Sequence, residues 1–370
     1  MRTVLITGSN GFVGKNLVLS LAQRQDLKVV GFDVDDDVST LSSLVVEADF
    51  IFHLAGVNRP QNVEEFVSGN TGLTQTIITL LQNRGKKTPL LLSSSTQAAM
   101  ENPYGTSKRE AEEAVFAYGQ QSGAPVFVYR LPNVFGKWCR PNYNSAVATF
   151  CHNLAHDLPI QINNPNVLMN LIYIDDVVNS FVADLDERSK QEGSFCVIPS
   201  VHTIKLGALA ELLHSFRSSR LNRSIPNMSD PFTKKLYATY LSYLPVDQFS
   251  YPLHMNMDER GSFTEFIKTA DRGQVSVNIS KPGITKGNHW HNTKNEKFLV
   301  VCGQGVIRFR KVGSDEVMEY FVSGEKLEVV DIPTGYIHNI SNTGVGDMVT
   351  VMWCNEMFDP ERPDTFSEPI

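Results

Sequence analysis

Up to Leu131, short β-branched apolar runs alternate with segments of helical period. Thr3–Thr7, Lys28–Asp33, Phe50–Ala55, Pro89–Ser94 and Val126–Leu131 are predicted strands, and Lys15–Gln23, Gly72–Asn83 and Pro103–Tyr118 are predicted helices. Apolar strands alternating with helices imply a parallel sheet covered on both faces, a doubly wound α/β domain. From Arg140 to about Arg188 the chain is less regular and rich in Asn and Pro, as loops building a substrate lobe would be. Helical period returns at Leu206–Ser215 and Asp230–Leu244. After Pro245 come short strands punctuated by glycine: Val275–Ser280, Lys297–Val301, Gly305–Lys311, Leu327–Ile332 and Met348–Trp353. Such strands with turn signals and no long helix predict an all-β sandwich or barrel. The change of pattern places a first domain at residues 1–245 and a second at 246–370.

Of the 370 residues 42% are hydrophobic and 20% charged, and the net charge of −7 argues against a basic nucleic-acid footprint. No apolar run reaches the roughly 18–20 residues of a membrane span, and the first residues lack a signal peptide's apolar stretch. Five widely spaced cysteines without a CxxC pair read as reduced thiols. A cytoplasmic protein with neither nucleic-acid nor membrane partner is expected. Cys302 and Cys354, in predicted strands, are expected to be buried.

Gly8-Ser9-Asn10-Gly11-Phe12-Val13-Gly14 follows the first strand directly and opens a helix. Its glycines allow a tight turn and close approach to a pyrophosphate at the helix N-terminus. Asp33, at the end of the second strand, is placed to bind the adenosine ribose hydroxyls. Tyr104 and Lys108 share a helical face at i and i+4, where the ammonium lowers the phenol pKa and makes it a general acid toward a carbonyl. Ser93-Ser94-Ser95 ends a strand just upstream and can orient a substrate oxygen.

In this order the glycine motif, Asp33, the serine run and the Tyr/Lys pair resemble the extended short-chain dehydrogenase/reductases, with the added marks His53-Leu54-Ala55-Gly56, Asn70 and Arg130-Leu131-Pro132-Asn133-Val134-Phe135-Gly136. The resemblance implies a Rossmann-type fold and a nucleotide-sugar substrate. It also implies Tyr104 as proton donor, Lys108 as partner of the nicotinamide ribose and Ser95 as substrate positioner. Gly8, Asn10, Gly11, Phe12, Val13, Gly14, Asp33, Leu54 and Ala55, with Tyr104 and Lys108, are the expected dinucleotide contacts. Ser95-Thr96-Gln97-Ala98-Ala99 lacks the acidic pair of sugar-nucleotide dehydratases, so reduction or epimerisation is expected rather than dehydration.

In the second domain, Gly283-(x5)-His289-x-His291-(x4)-Glu296-(x6)-Gly303 and Pro333-x-Gly335-(x2)-His338-(x3)-Asn342 resemble the two cupin motifs, the second without its leading glycine. Alternation puts His289 and His291 on one strand face, and Glu296 converges on them only if Asn292–Asn295 bend. With His338 they form three nitrogens and one carboxylate, a set that suits zinc and equally iron, manganese or nickel. The same segment is similar to dTDP-4-dehydrorhamnose 3,5-epimerases through Glu259-Arg260-Gly261-Ser262-Phe263-Thr264-Glu265 and Lys286-Gly287-Asn288-His289. That similarity implies His289 as the base at a carbon beside a ketone, with Lys286 standing for an arginine. A metal-bound His289 cannot use the same lone pair as a base. Either another group abstracts the proton, or a metal polarises the ketone and its bound hydroxide acts.

Over its whole length the chain resembles the CapF/WbjC family of capsule and O-antigen biosynthesis. The strings are Phe135-Gly136-Lys137-Trp138-Cys139-Arg140-Pro141-Asn142-Tyr143-Asn144-Ser145, Thr239-Tyr240-Leu241-Ser242-Tyr243-Leu244-Pro245, Gly261-Ser262-Phe263-Thr264-Glu265-Phe266-Ile267-Lys268-Thr269 and Gly287-Asn288-His289-Trp290-His291. The resemblance implies C3 epimerisation of a UDP-2-acetamido-2,6-dideoxy-4-ketohexose in the cupin. Hydride transfer to C4 in the reductase domain follows, giving UDP-2-acetamido-2,6-dideoxy-L-talose. It also implies NADPH, Zn2+ and a homodimer. Asn133, Lys137, Trp138 and Arg140 are the expected substrate contacts, Trp138 by stacking and the two cations on the diphosphate. A carboxylate at Asp33 repels a 2′-phosphate by several kcal/mol at about 4 Å when poorly screened, which keeps NADH open. The alternative function is a simple UDP-4-ketosugar reductase with a structural, dimerising cupin.

Overall fold

The computed structural model describes residues 1–187 and 194–370; Arg188, where the irregular stretch was expected to end, lies outside the described residues. The chain forms two compact units, residues 1–213 with 234–244, and residues 214–233 with 245–370.

The first unit runs β1 (Arg2–Thr7), α1 (Phe12–Leu21), β2 (Leu27–Phe32), α2 (Val38–Glu47), β3 (Phe50–His53), α3 (Glu64–Phe66), a π-helical turn Val67–Gly72, α4 (Leu73–Arg84), β4 (Leu90–Ser95), α5 (Pro103–Ser122) and β5 (Val126–Leu131). The five strands are parallel in the order β2-β1-β3-β4-β5. Alternation in β1 sends Val4 and Ile6 to one face, against Leu17 and Leu21 of α1, and Leu5 to the other, against Leu41, Ile77 and Val115. Chain order reverses at β1, so a crevice opens at the carboxyl ends of β1 and β3.

Unexpected from the sequence was α2, whose run Val-Ser-Thr-Leu-Ser-Ser-Leu-Val-Val-Glu consists largely of weak helix formers. The Asp37 carboxylate caps it by accepting from Ser39 N–H at 2.9 Å. The stretch after Arg140 is also more regular than expected. It holds α6 (Ala146–Ala155), β7 (Leu168–Tyr173) and α7 (Ile174–Leu185), and β7 joins β6 (Asn133–Phe135) and β8 (Val201–Lys205) in a small sheet. Ile174, Val177, Val178, Phe181 and Leu185 of α7 are buried at helical spacing. Asn and Pro concentrate in the connections 140–145 and 157–166.

Helices α8 (Leu206–Asn222) and α9 (Pro231–Leu241) precede the second unit's strands. The sequence placed residues 1–245 in the first domain, whereas contacts assign His214–Thr233 to the second unit. The reason is local pairing: Ser224 bridges Lys268 in parallel, and the Lys268 N–H donates to Arg223 O at 2.9 Å.

The second unit contains β9 (Asn256–Asp258), β10 (Gly261–Thr269), β11 (Gly273–Ser280), β12 (Thr285–Trp290), β13 (Glu296–Cys302), β14 (Gln304–Lys311), β15 (Val317–Ser323), β16 (Val329–Ile332), β17 (Tyr336–Asn342), β18 (Met348–Cys354) and β19 (Phe366–Ser367). They form two antiparallel sheets, β16-β13-β18-β11-β10-β9 and β15-β14-β17-β12-β19. Phe298, Val330 and Met348 of the first meet Ile307, Phe309 and Ile340 of the second in one apolar core. This is the jelly-roll layout of a cupin. None of the five cysteines forms a disulfide, but Cys302 is exposed and Cys354 half-buried, not buried as expected. A register shift between Val300 and Cys302 breaks the alternation at the end of β13. No helix among the described residues is long and apolar enough to cross a membrane.

Candidate active sites

Gly8 follows β1 at φ +71°, and a Cβ there would stand 2.7 Å from Ala55 N. A Cβ on Gly14 would stand 2.1 Å from Gly8 O, so α1 starts directly against the turn. No side chain caps α1 at Gly11. Uncapped first-turn amides behind a Cβ-free cradle fit a pyrophosphate. Gly14→Ala is therefore expected to push α1 off the turn, costing about 1–3 kcal/mol. Thermal unfolding and nicotinamide-dinucleotide titration should both register the loss.

The ends of β1 and β3 are locked by a buried chain. Thr74 Oγ1 donates to Asn70 O at 2.7 Å and so accepts from His53 Nε2–H at 2.9 Å, leaving Nδ1 to accept from Thr7 Oγ1 at 2.7 Å. Burial, with Lys108 nearby, pushes the His53 pKa down to about 3, so the ring stays neutral. This holds Leu54 and Ala55 beside the glycine turn. Asp33 Oδ2 accepts from Asn10 N–H at 2.7 Å. Of the acidic run behind it, Asp36 accepts from Asp33 N–H at 2.7 Å and Asp37 caps α2.

Asn102 caps α5 through Gly105 N–H at 2.8 Å, and Pro103 opens the helix. One turn in, burial raises the phenol pKa of Tyr104 and the neighbouring Ser95 hydroxyl lowers it by less, so the net shift is upward and not the lowering expected from Lys108. Lys108 is buried and donates from Nζ to Ser93 O at 3.1 Å. Burial pushes its pKa down to about 8, opposed by the charge of Glu112. Glu112, one turn further, is itself buried, bidentate with Arg130 and hydrogen-bonded by Ser94 at 2.5 Å. Asn70 in the π-helical turn bonds Val57 N–H at 2.9 Å and Ser107 at 3.0 Å, facing Lys108 across Gly56.

The expected substrate contacts are less uniform. Asn133 is exposed at the start of β6. The Lys137 charge is met by Asp175 at 2.5 Å. Trp138 stands 52% exposed in a left-handed backbone, φ +69°. Arg140 lies over the Tyr143 ring.

In the second unit His289 on β12 faces His338 on β17 in register, after a bulge at Asn288 re-aims β12. Residues 291–295 bend, and Glu296 opens β13 in the other sheet. One ligand atom from each of His289, His291, Glu296 and His338 falls within 4.8 Å of the others. His291 Nδ1 faces Asp364 O at 2.6 Å and His338 Nδ1 faces Tyr336 O at 3.3 Å. Carbonyls only accept, so both protons sit on Nδ1 and both Nε2 lone pairs point inward. There they meet Glu296 Oε2 at 3.7 and 3.2 Å, and all three atoms are buried without a hydrogen-bond partner. Inward lone pairs around a carboxylate repel one another unless a cation lies among them, so the donor set fits a metal. Burial and the neighbouring His338 and His291 push the His289 pKa down to about 4, leaving it neutral.

These residues line a cavity of about 690 Å³. Lys286 also lines it, donating to Asn278 Oδ1 and Ile279 O, both at 2.9 Å, and burial lowers its pKa.

The NAD dependent epimerase/dehydratase family profile matches residues 4–198, and the polysaccharide biosynthesis C-terminal domain matches residues 256–366. A Pseudomonas aeruginosa protein named UDP-2-acetamido-2,6-beta-L-arabino-hexul-4-ose reductase is 48% identical over 98% of both chains. The structure of the capsular polysaccharide assembling protein CapF from Staphylococcus aureus matches with a TM-score of 0.94 at 53% identity, over 99% of this chain and 100% of that one. This chain belongs to the CapF/WbjC family. For the first unit's fold alone, a UDP-glucuronic acid 4-epimerase from Bacillus cereus matches at a TM-score of 0.55 and 19% identity, over 65% of this chain and 98% of that one.

Two supporting residues of this CapF/WbjC chain went unseen in the sequence. Glu112 had a local signal, since it lies four residues beyond Lys108 on the same helix face. Asp364 had none. Its carboxylate accepts from the amides of Asn292, Thr293 and Lys294 at 2.8–3.1 Å, across some 70 residues of sequence, and shapes the bend after His291. Against desolvation, those amides hold its carboxyl well below the usual range.

Proposed function

We propose that this chain is a bifunctional nucleotide-sugar enzyme, epimerising C3 of a UDP-2-acetamido-2,6-dideoxy-4-ketohexose in the second unit and reducing C4 in the first, to UDP-2-acetamido-2,6-dideoxy-L-talose. The observation that carries it is that each unit has its own reactive set, Tyr104–Ser95–Lys108 in one and His289–His291–Glu296–His338 in the other. The relative named UDP-2-acetamido-2,6-beta-L-arabino-hexul-4-ose reductase supports the substrate class.

When bound, the groups these sites fit would supply the electrophilic and reducing chemistry: His289, His291, Glu296 and His338 would hold zinc as a Lewis acid toward the ketone, and the glycine turn would hold reduced nicotinamide as the hydride source. The chain's own residues do the rest. In the cavity the C3 hydrogen, acidified by the neighbouring ketone, passes as a proton to a basic group of the cavity, leaving an enolate, and an acid on the other side returns a proton to the opposite face of C3. In the first unit Ser95 orients O4 and Tyr104 donates a proton to it as C4 is reduced. Lys108, charged below about pH 8, favours that transfer. Reduction removes the ketone that made C3 acidic, so it traps the epimer. NMR of the product formed with NADPH tests the reading. It predicts the L-talo configuration, and a product retaining the substrate's C3 configuration contradicts it.

We assign NADPH on the family resemblance, with NADH opposed less by Asp33. The Asp33 carboxylate is fixed by Asn10 at the strand end, where a 2′-phosphate would meet it. Asp33→Ser is expected to move the NADPH-to-NADH ratio of kcat/KM toward NADPH by about tenfold or more. An unchanged ratio would show that the carboxylate lies away from the 2′ position.

A further inference from the structure

We propose that Arg223 positions the diphosphate of the nucleotide sugar in the second unit's cavity. The proposal deepens the epimerase reading of that cavity and rests on it. Arg223 precedes the strands of the second unit by some thirty residues, yet it belongs to that unit and lines its cavity together with His289 and Lys286. The segment is held against the edge of β10: Lys268 N–H donates to Arg223 O, and Ile225 N–H donates to Lys268 O, both at 2.9 Å. Arg223 itself sits in the left-handed region at φ +65°, disfavoured for a residue with a Cβ, so the pairing imposes its placement.

The side chain carries a charge surplus. Arg223 Nη2 pairs with Glu265 Oε2 at 2.9 Å, while Lys268 Nζ takes Glu265 Oε1 at 2.9 Å. Two cations on one carboxylate leave one positive charge over. All three side chains are largely buried, with exposures of 23%, 15% and 17%. Arg223 Nε is fully buried and has no hydrogen-bond partner, a state protein interiors avoid. A surplus charge and an unmet N–H donor together call for an oxyanion. The other cavity arginine, Arg260, offers no such surplus, being paired by two nitrogens to Asp258 at 3.0 and 2.5 Å. Among the groups of the proposed substrate, the diphosphate is the anionic one.

The test uses the full chain carrying Trp138→Phe, so that the remaining tryptophans, Trp290 and Trp353, both report on the second unit, Trp353 from the cavity wall. UDP is titrated against their fluorescence, with uridine as the probe lacking a diphosphate. Arg223→Gln should weaken UDP binding about 10- to 100-fold, Arg223→Lys less, and uridine binding should not change. Equal UDP affinity in parent and Arg223→Gln, or no response of the parent to UDP, overturns the proposal. Should Arg223→Gln fail to fold, Arg223→Lys decides, since its UDP affinity must still fall. Deuterium exchange at C3 of the 4-ketosugar is the second readout, where Arg223→Gln should raise KM with little change in kcat. If the parent shows no exchange, the epimerase reading fails while the UDP titration still decides on Arg223.

Discussion

Tyr104→Phe is expected to slow ketosugar-dependent cofactor oxidation by about 10²–10⁴-fold, while dinucleotide binding stays intact. The phenol is the O–H beside Ser95, and phenylalanine keeps the ring contact with Phe66 at 5.5 Å while removing the proton. Dinucleotide binding rests chiefly on the glycine turn and the locked strand ends, and phenylalanine keeps the ring at the Tyr104 contact. The same site predicts a pH profile. Burial lowers the Lys108 pKa to about 8, so the ammonium that favours proton transfer is lost as pH rises through that value. The rate should therefore be full below about pH 8 and decline above it. A rate still climbing at pH 9 would mean that Lys108 stays charged or has no part in the transfer. Glu112, clamped by Arg130 behind Lys108, is what keeps the lysine's pKa from falling further.

Removing the metal proposed for the second unit's cluster should act on the other half of the reaction. Chelation, or His338→Ala, is expected to lower C3 exchange by about 10³-fold or more, the scale of a lost Lewis acid. Reduction of an already epimerised substrate should continue. A structural readout accompanies it: a cation bound only by the folded form stabilises that form, so chelation should lower the unfolding temperature. His338→Ala should show the lower temperature even with metal added, because His291 and Glu296 then lack their third buried partner. Unchanged exchange after complete metal loss would leave the cluster without a chemical role.

Both reactive sets could be read early where their geometry is local. The glycine turn lies within one strand-turn-helix, and Tyr104 and Lys108 are one helical turn apart, so residue spacing alone places them together. The His289–His291 pair and its convergence with Glu296 followed from strand alternation plus a required bend, and the chain bends at 291–295. What spacing could not supply was anything set by distant pairing. Arg223 reaches the cavity only because Ser224 adds to the edge of β10, a contact 44 residues away in sequence. Asp364 shapes the bend after His291 from the far end of the chain. The exposure of Cys302 depends on a register shift that alternation does not announce. Helix α2 was hidden by its own composition, since Ser, Thr and Val carry little helical signal without the Asp37 cap.

The central claim is that one chain epimerises and then reduces. It is tested most directly by incubating UDP-2-acetamido-2,6-dideoxy-4-ketohexose with the enzyme in deuterated water, with and without NADPH, and following C3 by NMR. The account predicts deuterium at C3 without cofactor, and with NADPH an L-talo product that carries it. Cofactor oxidation to a C4 alcohol with no solvent deuterium at C3 would contradict it and leave a simple 4-ketosugar reductase.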